Sequence, residues 1–135
     1  MKVKTGIDII EVNRIKEAIE NLGDIFLKKI FTDEEINYCN KSKIMKYQHF
    51  AARFAVKEAV FKSISEFING REDALWNNIE VLNLESGKPC INVEKLTKNI
   101  GKTANNIKIK DIDISISHIK DYAVANAVVV IDECE

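Results

Sequence analysis

The chain has one proline and five glycines in 135 residues, which excludes collagen-like and Pro/Gly-rich disordered classes. It has no paired cysteine framework either. Cys39, Cys90 and Cys134 are odd in number and far apart, without CxxC or Cys/His metal spacing, and read as reduced thiols. Long apolar runs are also missing. The uncharged stretch from Tyr122 to Ile131 falls well short of the roughly 18 to 20 residues that cross a bilayer. Asp8 and Glu11 interrupt the only N-terminal run that could serve as the core of a signal peptide, so no membrane association and a cytoplasmic location are expected. Net charge is nearly absent too: 20 Lys plus Arg against 21 Asp plus Glu leave −1, and total charge therefore points to neither nucleic acid nor an anionic membrane. What is present, 46% hydrophobic and 30% charged residues, is the composition of one compact folded domain.

Val3, Thr5, Ile7 and Ile9 alternate with Lys4, Gly6, Asp8 and Ile10, which predicts a strand with Asp8 among small or polar neighbours. Val12, Ile15, Ile19 and Leu22 then follow helical spacing, with Asn13 as a candidate cap and Gly23 as a stop. Asp24 to Phe31 reads as a short helical turn, and Thr32-Asp33-Glu34-Glu35 as a capping box opening another short helix. The strongest periodic segment is a long central helix from about Ile44 to Ile68, carrying Tyr47, Phe50, Phe54, Phe61, Ile64 and Phe67, and ended by Asn69-Gly70-Arg71-Glu72-Asp73. Ile79 to Leu84 and Cys90 to Val93 suggest a hairpin across Glu85-Ser86-Gly87-Lys88-Pro89, and Glu94 to Ile100 is weakly helical. Ile112, Ile114 and Ile116 alternate with polar residues, and Ala123 to Ile131 makes a last strand. This order lacks a regular βαβ repeat and predicts an α+β fold: one small domain, residues 1–135, with a long helix on a mainly antiparallel sheet.

Charge is unevenly placed. Up to Lys62 there are twelve basic and nine acidic residues; beyond it, eight and twelve. Within 40–62, Lys41, Lys43, Lys46, Arg53, Lys57 and Lys62 accompany a single acid, Glu58. A solvated helix face would explain this, and Glu58 with Lys62 would make an exposed pair contributing about 0.3–0.5 kcal/mol. The other reading is chemical. Phosphate would answer the cations, and Mg²⁺ would answer Glu58 together with one further carboxylate, because that ion keeps waters and substrate oxygens as its other ligands. Asp8 is the candidate second carboxylate, with Gly6 leaving room beside it; as an alternative it caps the next helix.

Gly6-Ile7-Asp8-Ile9-Ile10-Glu11 with Arg14-Ile15, Phe31-Thr32-Asp33-Glu34-Glu35, and Arg53-Phe54-Ala55-Val56-Lys57-Glu58-Ala59-Val60-Phe61-Lys62 resemble, in order, the signatures of the holo-[acyl-carrier-protein] synthases, a class of 4′-phosphopantetheinyl transferases. Trp76 to Val81, Gly87-Lys88-Pro89 and Ile116-Ser117-His118 with Tyr122-Ala123-Val124-Ala125 extend the resemblance over essentially the whole chain. Two departures are visible: Ser63 to Ile68 continues in helical fashion where the family often has a Gly-containing segment, and Lys4 stands where it commonly has a second glycine.

The resemblance implies the family's fold and Mg²⁺-dependent transfer of 4′-phosphopantetheine from coenzyme A to a serine of apo acyl carrier protein in fatty acid biosynthesis, releasing adenosine 3′,5′-bisphosphate. It implies Asp8, Glu58 and Lys62 as catalytic residues, Asp8 and Glu58 holding the metal, Lys62 neutralising the leaving phosphate, and Glu58 or a water it orients accepting the serine proton. Coenzyme A would be held by Arg53, Lys57, Lys62, Gly87, Lys88, Pro89, Ser117 and His118. Arg14, Lys16 and Lys28, with Lys29, would face the acidic carrier protein. Homotrimers with sites between subunits are also implied, and Ala123 to Ile131, apolar on both faces except Asn126, is compatible with that or with a central strand. The alternatives are a transferase acting on carrier domains of large synthases, and a non-enzymatic module docking an acidic partner through its basic helix.

Overall fold

The computed structural model describes residues 1–68, 75–100 and 107–133. Strand β1 (Lys2–Glu11) leads without a loop into helix α1 (Val12–Leu22), and α2 (Asp24–Ile30), α3 (Asp33–Asn40) and α4 (Lys46–Ile64) follow. A 3₁₀ turn (Ser65–Phe67) closes α4; then come the short strands β2 (Val81–Asn83) and β3 (Pro89–Ile91), helix α5 (Val93–Ile100), and the long strands β4 (Ile107–His118) and β5 (Tyr122–Glu133). The main sheet is antiparallel in the order β1-β5-β4, and β2 with β3 forms a separate hairpin. This is the predicted α+β architecture. The proposed terminator of α4, Asn69 to Asp73, and Cys134 lie outside the described residues.

Local chemistry sets most of the boundaries. Thr32 Oγ1 accepts from the Glu35 N–H and Glu35 Oε1 accepts from the Thr32 N–H, completing the capping box of α3. Gly23 takes a positive φ of 59° and its N–H donates to the Ile19 carbonyl, stopping α1. Asn13 does not cap α1: it lies inside the helix and donates to Glu17, while the Val12 N–H is satisfied by the Asp121 carbonyl at 2.9 Å. Val93 begins α5 instead of ending β3, because the Asn92 side chain accepts from the Lys95 N–H and starts the helix.

Helix α4 is the core's axis. Ala55, Val56, Ala59, Val60 and Ile64 join Ile112, Ile114, Ala125, Ala127 and Val129 of the sheet in one buried cluster, and Phe50 and Ala51 join Ile15, Ile19 and Phe31 in another. Gly6 lets α4 lie directly on β1: a Cβ there would collide with the Ala59 carbonyl oxygen. The expected room beside Gly6 is therefore filled by the helix backbone, and what glycine provides is close approach. Asp8, two residues along the same face, is thereby brought under α4.

The sheet's outer side carries the surprise. The polar row of β1, Lys4, Gly6, Asp8 and Ile10, faces inward, whereas the apolar row points out, leaving Ile7 65% and Ile9 66% exposed. β5 is indeed the central strand. Its outward Val124, Val128 and Val130 are only half-buried, so an apolar stripe crosses the outer face.

Candidate active site

Helix geometry distributes the basic segment of α4. At about 100° per residue, Arg53 and Lys57 lie about 40° apart, Glu58 and Lys62 likewise, and Glu58 turns about 100° from Lys57. The cations that accompany Glu58 in the sequence therefore separate, and Arg53, Lys57 and Lys62 each go to a different place.

Asp8 and Glu58 line one cavity of about 360 Å³, together with Arg14 and the apolar side chains of Ile10, Ile15, Phe26 and Phe54. Lys62 reaches over β1, donating to Asp8 Oδ1 at 3.0 Å and to the Ile7 carbonyl at 3.1 Å. Half of its side chain stays exposed while Asp8 is mostly covered. Two carboxylates therefore line a largely apolar cavity, with a half-exposed cation paired to one of them, in surroundings where fixed charges act more strongly than in open water.

Lys57 is elsewhere. It has no exposed surface, and its ammonium donates to Glu35 Oε1 at 2.8 Å and to the carbonyls of Trp76 and Ile79, both at 2.7 Å. All three protons are used inside the protein, which removes Lys57 from the coenzyme-binding set. Burial pulls its pKa below the ordinary lysine value, and Glu35 opposes that pull. Glu35, equally buried, also accepts from the Val81 N–H at 3.0 Å through Oε2. Read from sequence as a cap alone, Glu35 is a buried acidic anchor that joins α3 to α4 and β2, and through Lys57 to the segment at 76–79.

Arg53 faces a second cavity of about 200 Å³, lined by Tyr38, His49, Asn83, Gly87, Pro89 and His118 among others. It is 4% exposed, its guanidinium stacks 3.9 Å from the Tyr38 ring centroid, and Nη2 donates to Asn83 Oδ1 at 2.6 Å. Asn83 in turn donates to the Gly87 carbonyl, and Gly87 needs its φ of 90° to turn the hairpin. Four of the predicted coenzyme residues, Arg53, Gly87, Pro89 and His118, thus converge here. Lys88 does not; it is exposed and lies 3.4 Å from Asp113. Nor does Ser117, which is exposed and lines a separate groove with Ile9, Tyr122 and Val124; His118 borders both that groove and the Arg53 cavity.

A model of the 4′-phosphopantetheinyl transferase superfamily matches residues 4–127. The holo-[acyl-carrier-protein] synthase of Ruminiclostridium cellulolyticum is 43% identical over 129 residues, 96% of this chain and 92% of that protein. This chain belongs to that family. Among solved structures, the holo-[acyl-carrier-protein] synthase of Helicobacter pylori in complex with coenzyme A superposes with a TM-score of 0.72 at 26% identity, covering 93% of this chain and 99% of that one. The Bacillus anthracis synthase in complex with CoA (3′,5′-ADP) gives 0.68 at 32%, covering 98% and 96%.

In this transferase the predicted carrier-facing residues divide. Arg14 lines the Asp8–Glu58 cavity. Lys16, about 200° round α1 from it, lies over the Tyr47 ring at 5.5 Å. Lys28 and Lys29 are exposed at the end of α2, whose last carbonyls accept from Asn77, and Lys29 lies over Trp76. No group of three or more metal-ligating side chains occurs among the described residues. The two hard oxygen donors sharing the first cavity nevertheless fit Mg²⁺, which needs only one or two carboxylates when phosphate oxygens and water supply the rest. No described helix is long and apolar enough to cross a membrane.

Proposed function

We propose that this transferase moves 4′-phosphopantetheine from coenzyme A to a serine hydroxyl of apo acyl carrier protein, in the cytoplasm and in fatty acid biosynthesis. The observation that carries this reading is the convergence of Asp8, Glu58 and Arg14 in one cavity with Lys62 at Asp8, in a chain of this family. Asp8 and Glu58 would hold Mg²⁺, which when bound supplies positive charge to the pyrophosphate oxygens. Lys62, half-exposed beside Asp8, neutralises charge on the departing phosphate. Glu58 takes the proton of the attacking serine. A bond forms from the serine oxygen to the phosphorus bearing the pantetheine arm, the bond from that phosphorus to the bridging oxygen breaks, and adenosine 3′,5′-bisphosphate leaves. Because the reaction spreads charge over phosphate oxygens, alignment and fixed charge supply most of the acceleration.

The cavity at Arg53 takes another phosphate of the coenzyme, through Arg53 and His118 with Gly87 and Pro89 as its wall. Arg14 meets the acidic carrier at the mouth of the first cavity, with Lys16 and Lys28 on its periphery, and these charges govern encounter rate and salt sensitivity. The chain assembles as a homotrimer with each site built between subunits. Supporting this are the exposed Ile7 and Ile9 stripe, unusual for the solvent side of an antiparallel sheet, and the opening of the two cavities on different flanks of α4.

The test is to incubate the protein with apo carrier protein, coenzyme A and Mg²⁺ and to weigh the carrier by mass spectrometry. The expected result is a carrier heavier by one phosphopantetheine, lost with chelator and reduced at least a hundredfold in rate by Glu58→Gln. A carrier of unchanged mass under every divalent metal overturns the reading. Transfer to excised carrier domains of large synthases and not to the free protein would redirect it to that substrate class.

A further inference from the structure

The Arg53 cavity holds a second histidine with no role so far. The His49 ring meets His118 edge-on, with centroids 5.7 Å apart and planes at 80°, and has Tyr38 on another side at 5.5 Å. Its Nδ1 is buried with no hydrogen-bond partner, and so is Nε of Arg53, whose side chain is almost wholly enclosed. The Arg53 Nε–H is a buried donor without an acceptor, and the His49 nitrogen is unpaired beside it, so the cavity has polar capacity that the protein itself does not use. The groups beside the two imidazoles are Arg53 and Gln48 from α4, Tyr38 from α3 and Asn83 from β2, and among the described residues no carboxylate lines the cavity.

Gln48 sets the chemistry. Its Oε1 lies 2.8 Å from Nδ1 of His118, and a carbonyl oxygen only accepts, so Nδ1 carries the proton. In a neutral ring Nε2 is then a lone pair, which repels an anion. Only the imidazolium turns Nε2 into a donor. Two imidazolium rings this close to each other and to a guanidinium would repel strongly, so the pair accommodates one added proton and not two. Burial, then the nearby His118 and Arg53, pull His49 below its ordinary value, so His49 is neutral near pH 7 in the unliganded protein.

We propose that coenzyme binding places one proton on the His49–His118 pair: Gln48 orients the His118 ring so that its new N–H meets the ligand's phosphate, and His49 is a positioning residue that holds that ring edge-on and limits the pair to a single charge. This rests on the coenzyme reading above. It makes affinity fall as pH rises through the imidazole range, because binding must then draw its proton from a scarcer pool.

The experiment is calorimetric titration of coenzyme A into the full chain at about pH 7.5, in buffers of different ionisation enthalpy, which counts protons exchanged per coenzyme bound. At this pH the ligand's phosphomonoester, with a second pKa near 6, is already a dianion and contributes little. Wild type is expected to take up roughly half to one proton, with affinity weakening up to about tenfold between pH 7 and pH 8. His118→Gln abolishes the uptake and weakens binding roughly tenfold at about pH 6, the loss of one charge-assisted hydrogen bond. Gln48→Glu also abolishes it, for the opposite reason: a carboxylate on Nδ1 keeps the imidazolium charged before coenzyme arrives, so binding at pH 8 tightens relative to wild type. Coenzyme binding by wild type with no proton exchange and pH-independent affinity overturns this proposal alone. No coenzyme binding at any pH overturns it together with the reading on which it rests.

Discussion

Replacing Lys57 by Met tests what a fully enclosed charge does in this protein. The substitution keeps the apolar stem and deletes an ammonium that serves three acceptors, Glu35, the Trp76 carbonyl and the Ile79 carbonyl. Glu35 would retain the Thr32 and Val81 N–H groups but lose its counter-ion in a site with no exposed surface. Breaking a buried pair by removing one partner costs about 3–5 kcal/mol, because a charge is left uncompensated. For a chain of this length that corresponds to a fall in Tm of roughly 10–20 °C. The assay is urea or thermal unfolding followed by circular dichroism. Glu35→Leu combined with Lys57→Met serves as control: with both charges gone, only neutral carbonyl and N–H groups lose partners, and the double variant should be more stable than Lys57→Met. A change below about 1 kcal/mol, accompanied by a tenfold rise in KM for coenzyme A, would refute the reasoning and return Lys57 to the ligand.

Two further outcomes follow from the geometry. Gly6→Ala drives a methyl into the Ala59 carbonyl; since helix backbone cannot step aside as a side chain can, unfolding measurements should show a loss of roughly 3 kcal/mol or more, and a stability within 1 kcal/mol of wild type would mean that α4 does not lie on β1 so closely. His49 has its pKa lowered, by burial first and then by His118 and Arg53. Below about pH 6.5 the unfolded chain therefore binds the proton more readily than the folded one, and stability drops on acidification. Stability of the unliganded protein measured at about pH 7 and pH 5.5 should decline less in His49→Gln than in wild type, and identical declines would remove His49 from the acid sensitivity.

The fold was legible in the sequence because its signals are local. Thr32 with Glu35, Gly23, and the alternation along β1 and β4 each act within a few residues, and the structure realises all of them. Direction was harder to read. The alternation of β1 does not say which row is covered, and the polar row proved to be inside because Gly6 admits α4 and Asp8 must reach its helix. The same limit governs the site. Local charge density drew Arg53, Lys57 and Lys62 into one cluster around Glu58, but a helix separates such neighbours by angle. A count along the chain carries no angle until the helix's own surroundings are known. α4 is enclosed on nearly every side, so each cation meets a different wall: Glu35 for Lys57, Asn83 and Tyr38 for Arg53, Asp8 for Lys62. Glu35 escaped notice for a related reason. Its capping role accounts for one of its oxygens in sequence terms, while its partners Lys57 and Val81 lie 22 and 46 residues away. A long-range partner leaves no periodic trace, yet one signal was available: Lys57 stands in the buried row of the helix, and a buried ammonium requires a carboxylate from some other element.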